Sequence, residues 1–371
     1  MKKFLACALT LSMAASMAIV PAVYAEEAET KTVGIAMPTN SLERWNRDGA
    51  YLEEQFKAAG YDTILKYSDN DVNQQNNDIQ SMLSDGVDLL LITAVDGNAL
   101  SQTLAEAKEK GIPVLAYDRL IRDTDAVTVY VSFDNYTVGT LQGKFVEEAL
   151  DLPNTDKTFN IEFTAGDPAD NNAGYFFNGA YDVLSPYIEE GKLNVVSGQT
   201  SFEQVATEQW ATDAALNRFQ TILGSFYGDG TQLDVALCSN DSTALGVAQA
   251  ISNDYAGSNT PIVTGQDGDI ANLKNIVDGL QTMTVYKNVA DEAAVTLDVA
   301  KAILAGDKLD DSLLANLSAE AAFDTESYDN GVAVIPSYLL VPWVVMADNL
   351  DQLVETGLYK WDADNKYLEA A

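Results

Sequence analysis

Short apolar runs alternate with longer stretches of mixed polarity along the chain from Lys31 onward. A short continuous apolar run rich in β-branched residues predicts a buried strand, whereas apolar residues that recur every three or four positions predict a helix. The pattern predicts ten strands, at Val33–Met37, Thr63–Tyr67, Asp88–Ala94, Pro113–Tyr117, Val127–Phe133, Phe159–Ala165, Leu193–Ser197, Asp234–Cys238, Pro261–Gly265 and Gln281–Tyr286.

Helices are predicted between these strands, at Leu42–Ala59, Gln74–Ser84, Ala99–Lys110, Val138–Leu150, Ala173–Tyr187, Val205–Leu223, Thr243–Asn253 and Val289–Leu304. The unbroken apolar run Leu89–Ile92 indicates a strand that is buried on both faces, as in parallel sheets covered by helices. The strand–helix unit recurs too often for one small open sheet. The sequence therefore predicts an α/β fold of two doubly wound, Rossmann-like lobes.

Polar clusters follow many of the predicted strands, at Pro38–Trp45, Asp96–Asn98, Asp118–Arg119, Asp134–Asn135, Gly166–Asn172, Ser239–Asp241 and Gln266–Asp267. The carboxyl ends of strands in an open α/β sheet face the ligand crevice. A single aspartate such as Asp134, Asp241 or Asp269 could instead be only the N-cap of the next helix. Because the clusters recur at the same topological position, we expect a polar site between the lobes.

The N-terminus has the pattern of a cleaved export signal. Two lysines precede the apolar run Phe4–Val20, and Val23 and Ala25 fit the small positions before a cleavage site. Residues 1–25 are therefore predicted to be a signal peptide, and the mature protein is expected in the periplasm or at the cell exterior. Cys7 raises the alternative of a lipid anchor, but it precedes most of the apolar run, so we do not expect anchoring.

Composition narrows the range of functions. The formal net charge is −35, which disfavours nucleic acid and anionic lipid as partners because both are bound by dense Lys and Arg. The chain contains no histidine, so the commonest metal ligand and general base are absent, as is every Ser-His or Cys-His pair. We expect no metal, no cofactor and no catalytic residue, and no internal disulfide, since cleavage would leave Cys238 alone.

Several short motifs occur in a fixed order: Leu42–Trp45, Ala116–Arg119, Ser132–Asn135, Asp170–Ala173, Ser239–Asp241, Gly265–Asp267, Thr282–Lys287, Asn330–Val332 and Pro336–Leu340. Each motif alone is weak, but the ordered set closely resembles the xylose-binding periplasmic proteins and the related multiple-sugar-binding proteins. The resemblance extends from Lys31 to about Tyr367.

The resemblance implies the type I periplasmic-binding-protein fold, with two lobes joined by three hinge crossovers and a ligand cleft between them. It places residues 31–134 plus 288–334 in the N-terminal lobe and residues 135–287 plus 335–371 in the C-terminal lobe. It implies a monomer that binds a monosaccharide by hinge closure and delivers it to the membrane permease of an ABC sugar importer. An alternative role is to present the bound sugar to a chemoreceptor or a sensor kinase.

The resemblance also assigns sugar contacts, to Arg44, Asp118, Arg119, Asp170, Asn172, Trp210, Asn240, Asp267 and Lys287. These residue types suit a pyranose, because carboxylates accept from its hydroxyls and Arg, Lys and Asn donate to them. Aromatic rings cover the apolar C–H face of a sugar, which is the role expected for Trp210 and Trp45.

Spacing alone leaves other interpretations open for some of these residues. Trp210 falls in the predicted helix Val205–Leu223, where an aromatic residue is usually part of the core. Lys287 ends a strand and could be solvated. Arg44 could form a surface ion pair with a neighbour on its own helix.

The resemblance implies D-xylose as the ligand, but the chain departs from the xylose-binding pattern in two places. Pro38–Asn40 replaces an acidic pair, as in the multiple-sugar-binding branch, and Gln199–Gln204 lacks a tryptophan. Glucose, galactose and arabinose therefore remain alternatives.

Two other classes of protein share features with this sequence. The carboxylates Asp118, Asp170 and Asp267 could suggest a glycoside-processing enzyme, but a free monosaccharide has no glycosidic bond to cut, so we expect no enzyme. Sugar-responsive transcription regulators share the fold, but they begin with a helix-turn-helix where this chain has a predicted signal peptide.

Overall fold

The computed structural model describes residues 30–371. The predicted signal peptide and Cys7 lie outside the described residues. In the part that the structure describes, no helix has the length and apolar character needed to cross a bilayer.

The first third of the chain alternates strands and helices: β1 (Thr32–Met37), α1 (Glu43–Ala58), β2 (Asp62–Tyr67), α2 (Val72–Asp85), β3 (Leu89–Ile92), α3 (Ser101–Glu109), β4 (Val114–Tyr117) and β5 (Val127–Phe133). The middle contains α4 (Asn135–Ala149), β6 (Phe159–Thr164), α5 (Asn171–Glu189), β7 (Leu193–Asn194), α6 (Phe202–Val205), a 3-10 turn (Glu208–Trp210), α7 (Thr212–Phe226), β8 (Val235–Cys238), α8 (Asp241–Asp254), β9 (Ile262–Val263), α9 (Ile270–Asp278) and β10 (Thr284–Tyr286). The last part contains α10 (Val289–Ala305), a second 3-10 turn (Asp311–Asn316), β11 (Ala321–Asp324), β12 (Ser337–Leu340), β13 (Trp343–Val345), α11 (Asp351–Glu355), β14 (Tyr359–Trp361) and β15 (Leu368–Ala370).

The first lobe is built on a seven-stranded sheet in the order β11-β12-β5-β4-β3-β1-β2. Its strands are parallel except β11, which is antiparallel to β12. All four residues of β3 are buried, and they alternate between two apolar cores: Leu89 and Leu91 face one, and Leu90 and Ile92 face the other. The sheet is therefore covered on both sides, as the unbroken apolar run predicted.

The second lobe is built on the parallel sheet β7-β6-β8-β9. A bridge between Gln266 and Val285 connects β10 to the β9 side of this sheet, and β13 pairs antiparallel with β10. Each predicted strand overlaps an observed one. The expected fold, two Rossmann-like lobes of the type I periplasmic-binding-protein kind, is confirmed.

The third passage between the lobes lies further along the chain than the sequence suggested. The expected boundary put residues 335–371 in the C-terminal lobe. Ser337–Leu340 instead pair with Tyr130–Phe133 of β5 in the first lobe. Without β12, the backbone N–H and C=O groups of β5 would form a sheet edge. The chain therefore crosses after β12, at residues 341–342, and not at 334–335.

The predicted helix Val205–Leu223 is also wrong, because the chain there divides into α6, the 3-10 turn and α7. Gln209 and Trp210 have φ angles of 56° and 55°, in the left-handed region that cannot continue a helix. Two contacts with the end of β6 hold the turn: Asp167 accepts from the Gln209 amide at 3.0 Å, and Thr207 donates its amide to the Gly166 carbonyl at 3.0 Å. Tertiary contacts thus override the local helical pattern.

Candidate functional site

A cavity lies between the two lobes, and the space free of protein atoms in it and in the solvent at its mouth is about 380 Å³. Its lining residues come from both lobes: Leu42, Arg44, Trp45, Asp118, Arg119, Asp170, Phe176, Trp210, Asn240, Ser242, Gln266, Asp267 and Lys287. Five of the seven polar clusters that follow predicted strands contribute to this lining. The other two, Asp96–Asn98 and Asp134–Asn135, do not, and Asp134 is the N-cap of α4, with its carboxylate accepting from the Thr137 amide.

The end of β4 directs two charged side chains into the cavity. Asp118 has a φ angle of 57°, a left-handed conformation that is costly for aspartate. Three side chains stabilise it by donating to the Asp118 carbonyl: Tyr130, Ser132 at 2.9 Å and Asn172 at 2.7 Å. The turn allows the neighbouring side chains of Asp118 and Arg119 to line the same cavity.

Helix α1 begins just after β1 and places Arg44 in its first turn, where the side chain is buried. The guanidinium donates to four carboxylates: Asp48 at 2.7 Å, Asp118 at 2.8 Å, Glu292 at 2.9 Å and Asp267 at 3.0 Å. The bond to Asp267 joins the two lobes. These contacts use four of the five guanidinium N–H groups and leave one on Nη1.

Lys287 follows β10 and completes this group of charges. Its Nζ lies 3.3 Å from Asp267 Oδ1 and 3.5 Å from Asp118 Oδ2. We call the six residues Arg44, Asp48, Asp118, Asp267, Lys287 and Glu292 the Arg44 cluster. All six side chains are buried, so each charge depends on its partners for the stabilisation that water would otherwise supply.

The Arg44 cluster contains four carboxyl groups and two cations. The pKa values of two of these carboxyl groups, Glu292 and Asp118, are shifted in opposite directions. Burial raises the pKa of Glu292 well above its ordinary value, and the nearby Asp118 carboxylate adds to the effect. Burial also opposes ionisation of Asp118, but Lys287, Arg44 and Arg119 outweigh it and hold the pKa of Asp118 below its usual range. Asp118 is therefore a carboxylate at neutral pH.

Arg119 also lines the cavity, and it lies 3.0 Å from Asp170, measured from Nε to Oδ2. Asp170 is the N-cap of α5 and accepts from the Asn172 amide at 2.9 Å and from Trp210 Nε1 at 3.2 Å. We call Arg119, Asp170 and Trp210 the Arg119 cluster. Within the described structure, Arg119 makes one hydrogen bond, from Nη1 to the Ala94 carbonyl at 3.0 Å. Its Nη2 group is free to donate to a ligand.

Glycine at position 166 makes room for Trp210. A Cβ atom there would lie 1.9 Å from the Trp210 ring, far closer than any van der Waals contact. The ring is thus fixed between the end of β6 and the cavity. Trp45 also lines the cavity, and the guanidinium carbons of Arg119 and Arg44 lie 4.9 and 5.2 Å from its ring centroid, a cation–π arrangement.

The second lobe adds neutral polar groups. Asn240 is the N-cap of α8, where its Oδ1 accepts from the Thr243 amide at 3.0 Å. Gln266 Nε2 donates to the Ser239 carbonyl at 2.9 Å, and its buried Oε1 has no hydrogen-bond partner among the described residues. A ligand hydroxyl would satisfy that oxygen.

The sequence-predicted site residues come together with one exception. Arg44, Trp45, Asp118, Arg119, Asp170, Trp210, Asn240, Asp267 and Lys287 line the cavity, but Asn172 does not. Its side-chain nitrogen donates to the Asp118 carbonyl, and its side-chain oxygen lies 3.2 Å from the Tyr130 hydroxyl, so Asn172 supports Asp118 from behind. Both polar ends of Asn172 are therefore used within the protein.

Four lining residues were not predicted as ligand contacts: Leu42, Phe176, Ser242 and Gln266. Phe176 lies one helical turn after Asn172 on α5, and a period of 3.6 places the two on one face. That spacing could have identified Phe176. Nothing in the sequence distinguishes Ser242 from the other small polar residues that begin helices.

The cavity lining suits a neutral, hydroxyl-rich molecule. The lining contains fixed carboxylates, a free guanidinium nitrogen, an ammonium group, two amides and three aromatic rings. In the described part of the chain, no group of three or more His, Cys, Asp or Glu side chains could hold a metal ion.

Comparison with known proteins agrees with this geometry. The model of the family described as "Periplasmic binding protein domain" matches residues 33–308. The multiple sugar-binding periplasmic receptor ChvE of Rhizobium radiobacter is 39% identical over 366 residues, which cover 98% of this chain and 99% of the receptor. The D-xylose-binding periplasmic protein of Escherichia coli is 33% identical over 346 residues, covering 91% and 93%.

A solved structure is similar over most of the chain as well. The ABC transporter solute-binding protein from Clostridium phytofermentans, which contains β-D-glucose, is 47% identical, covers 90% of this chain and 99% of its own, and has a TM-score of 0.83. The family expected from the ordered motifs is confirmed. This chain belongs to the periplasmic binding protein family.

Proposed function

We propose that this protein binds one free aldopyranose between its lobes and delivers it to the permease of an ABC importer. The observation that carries the proposal is the composition of the cavity, where fixed ionic groups and aromatic rings converge between the lobes. Relatives that are named as sugar-binding receptors support the same class of ligand.

The Arg44 cluster leaves specific atoms available to the sugar. The hydrogen bonds that Arg44 makes with these carboxylates run to Asp118 Oδ2 and Asp267 Oδ1. The other oxygen of each carboxylate, Asp118 Oδ1 and Asp267 Oδ2, would accept from sugar hydroxyls. Arg119 Nη2 would donate to a hydroxyl oxygen, and Trp210 would cover the C–H face. Charge-assisted bonds of this kind contribute about 1.5–3 kcal/mol each.

We propose D-glucose and D-xylose as ligands. The two differ only in the hydroxymethyl group on C5, so one arrangement of acceptors and donors serves both. The β-D-glucose in the solute-binding protein from Clostridium phytofermentans supports glucose, and the xylose-binding relative supports xylose. A contact to one extra substituent contributes about 1–3 kcal/mol, which allows a preference without exclusive selection.

The wider role follows the family. We propose export to the periplasm or cell exterior, hinge closure on the sugar by a monomer, and docking of the closed form on the permease. A chemoreceptor or sensor kinase that reads the same closed form is compatible with this role.

A glycoside-processing enzyme receives less support. The lowered pKa of Asp118, caused by Lys287, Arg44 and Arg119 against the effect of burial, makes this carboxyl a poor general acid. Release of product from an aryl glycoside would support the enzyme function.

Isothermal titration against D-xylose, D-glucose, D-galactose, L-arabinose and D-ribose tests the proposal. We expect glucose or xylose to bind with a Kd of about 1 μM, equivalent to about −8 kcal/mol. The absence of binding by all five sugars would contradict the proposed function.

A further inference from the structure

Arg47 lies on α1 three residues after Arg44, but it does not line the cavity. Among the residues that the structure describes, Arg47 makes four hydrogen bonds, and all four cross to the second lobe. Nη1 donates to the Tyr359 hydroxyl at 2.9 Å and to the Gly268 carbonyl at 3.2 Å. Nη2 donates to the Asp267 carbonyl and to Asp269 Oδ1, both at 3.1 Å.

Glu43 strengthens the same junction from the start of α1. Its Oε1 accepts from the Ile270 amide at 3.2 Å, at the first residue of α9, and lies 3.6 Å from Arg47 Nη1. Helix α1 therefore contacts the loop 267–270 through two side chains of opposite charge. We call this set of hydrogen bonds, made by Glu43 and Arg47 with residues 267–270 and Tyr359, the closure contact.

The second lobe fixes its part of the closure contact through bonds of its own. The Tyr359 hydroxyl donates to the Gly268 carbonyl at 2.9 Å, and Asp241 accepts from the Asp269 amide at 2.9 Å. Gly268 has a φ angle of 72°, and a Cβ there would lie 2.7 Å from the Tyr286 ring, so the close turn requires glycine. The acceptors for Arg47 are thus held in place by contacts that do not involve the first lobe.

We infer that the closure contact holds the closed lobes together without touching the sugar and sets the rate at which the ligand is released. The inference rests on the proposed function, because it assumes that a sugar is enclosed by lobe closure. The closure contact joins α1 of the first lobe to a loop of the second, so opening must break it. Sugar enters while the lobes are apart, when these bonds are absent. Arg47 and Glu43 are therefore positioning residues that act on dissociation and not on association.

The acceptors of Arg47 are mostly uncharged. Three of the four acceptors of Arg47 are neutral oxygens, from two backbone carbonyls and one hydroxyl. Only Asp269 is a carboxylate. Because the planar guanidinium serves several acceptors at once, a lysine would not replace it fully.

Stopped-flow kinetics with D-glucose as the probe test this inference on the mature protein. Arg47→Met should raise the dissociation rate about tenfold or more, the loss expected from one charge-assisted hydrogen bond, and leave the association rate within about twofold. Arg47→Lys should fall between wild type and Arg47→Met. Tyr359→Phe removes one acceptor of Arg47 and the bond from Tyr359 to the Gly268 carbonyl, and it should raise the dissociation rate about threefold.

Lys57→Met is the matched control. Lys57 lies on the same helix and pairs with Glu53 at 2.7 Å, within the first lobe, so its loss should change neither rate. A dissociation rate of Arg47→Met within about twofold of wild type contradicts the inference, as does an equal fall in the association rate.

The outcomes separate this inference from the proposed function. If the wild type binds none of the five sugars, the proposed function fails, and the inference fails with it because it assumes an enclosed sugar. If the wild type binds D-glucose and Arg47→Met releases it at the wild-type rate, the proposed function stands and the inference alone is contradicted. Small-angle scattering at saturating D-glucose gives a second readout: a larger radius of gyration for Arg47→Met than for wild type supports the closure contact.

Discussion

Arg44 and Arg119 are both buried arginines that line one cavity, and the sequence assigned the same role to both. Their surroundings differ. Arg44 donates to four carboxylates, whereas Arg119 makes one hydrogen bond to a backbone carbonyl and one ion pair with Asp170. Arg44 therefore organises the acceptors of the site, and Arg119 keeps a donor for the ligand. The resemblance to a family identifies both arginines as site residues but does not separate these two roles.

The difference predicts unequal costs when each arginine is removed. Without Arg44, the Arg44 cluster would hold four buried carboxyl groups and a single cation, Lys287. Without Arg119, Asp170 would still accept from Trp210 Nε1 and from the Asn172 amide. Loss of Arg44 should therefore lower the stability of the fold, whereas loss of Arg119 should lower the affinity for the sugar.

Arg44→Met tests the larger effect. Breaking a buried ion-pair network by removing one partner costs about 3–5 kcal/mol, because the remaining charges stay buried. We expect the free energy of unfolding, measured by urea denaturation, to fall by that amount or the protein to accumulate unfolded. The surface substitution Lys57→Met should stay within about 0.5 kcal/mol of wild type. A loss below about 1 kcal/mol for Arg44→Met would show that Arg44 does not organise the carboxylates.

Arg119→Met should change affinity more than stability. Loss of one or two charge-assisted bonds to the sugar predicts a Kd for D-glucose about 10–100 times higher in isothermal titration. The free energy of unfolding should fall by no more than about 2 kcal/mol, since Asp170 retains two donors. If Arg119→Met unfolds the protein as readily as Arg44→Met does, the contrast between the two arginines is wrong.

The smallest expected effect is a pH dependence that belongs to the Arg44 cluster. Burial, with Asp118 nearby, raises the pKa of Glu292, so the folded protein keeps a proton that the unfolded chain loses above its ordinary pKa. The unfolded state then binds fewer protons, and the free energy of unfolding decreases as pH rises above that value. Asp118 has a lowered pKa and titrates at lower pH, outside this window.

Thermal denaturation at pH 5.5 and pH 8 measures this dependence. We expect the wild type to melt at least about 2 °C lower at pH 8. Glu292→Gln cannot ionise and should show a smaller decrease, while keeping a polar group next to Arg44. An equal decrease in the two proteins would mean that Glu292 is already ionised in the folded state.

Much of the fold could be predicted from the sequence because its strands are buried on both faces. An unbroken apolar run such as Leu89–Ile92 fits only a strand that is buried on both faces. The structure places this run inside the sheet, between β4 and β1. The 3-10 turn at Trp210 could not be predicted in this way. Its left-handed residues are held by Asp167 and Gly166, which lie some forty residues earlier in the chain.

The site could be predicted in composition but not in arrangement. The resemblance identified eight of the lining residues and the chemistry of aromatic rings added Trp45, yet the resemblance also placed Asn172 in contact with the sugar. Its position behind Asp118 depends on the left-handed turn after β4 and on Tyr130, and neither has a local sequence signal. The set of carboxylates around Arg44 was equally hidden, because Glu292 lies 248 residues from Arg44 along the chain.

A crystal structure of the protein with D-glucose is the most direct test of the division between the two arginines. The account predicts that sugar hydroxyls donate to Asp118 Oδ1 and Asp267 Oδ2 and accept from Arg119 Nη2, while Arg44 keeps its bonds to the four carboxylates. Trp210 should lie against the C–H face of the ring. A sugar that displaces Arg44 from these carboxylates, or that makes no contact with Arg119, would contradict the account.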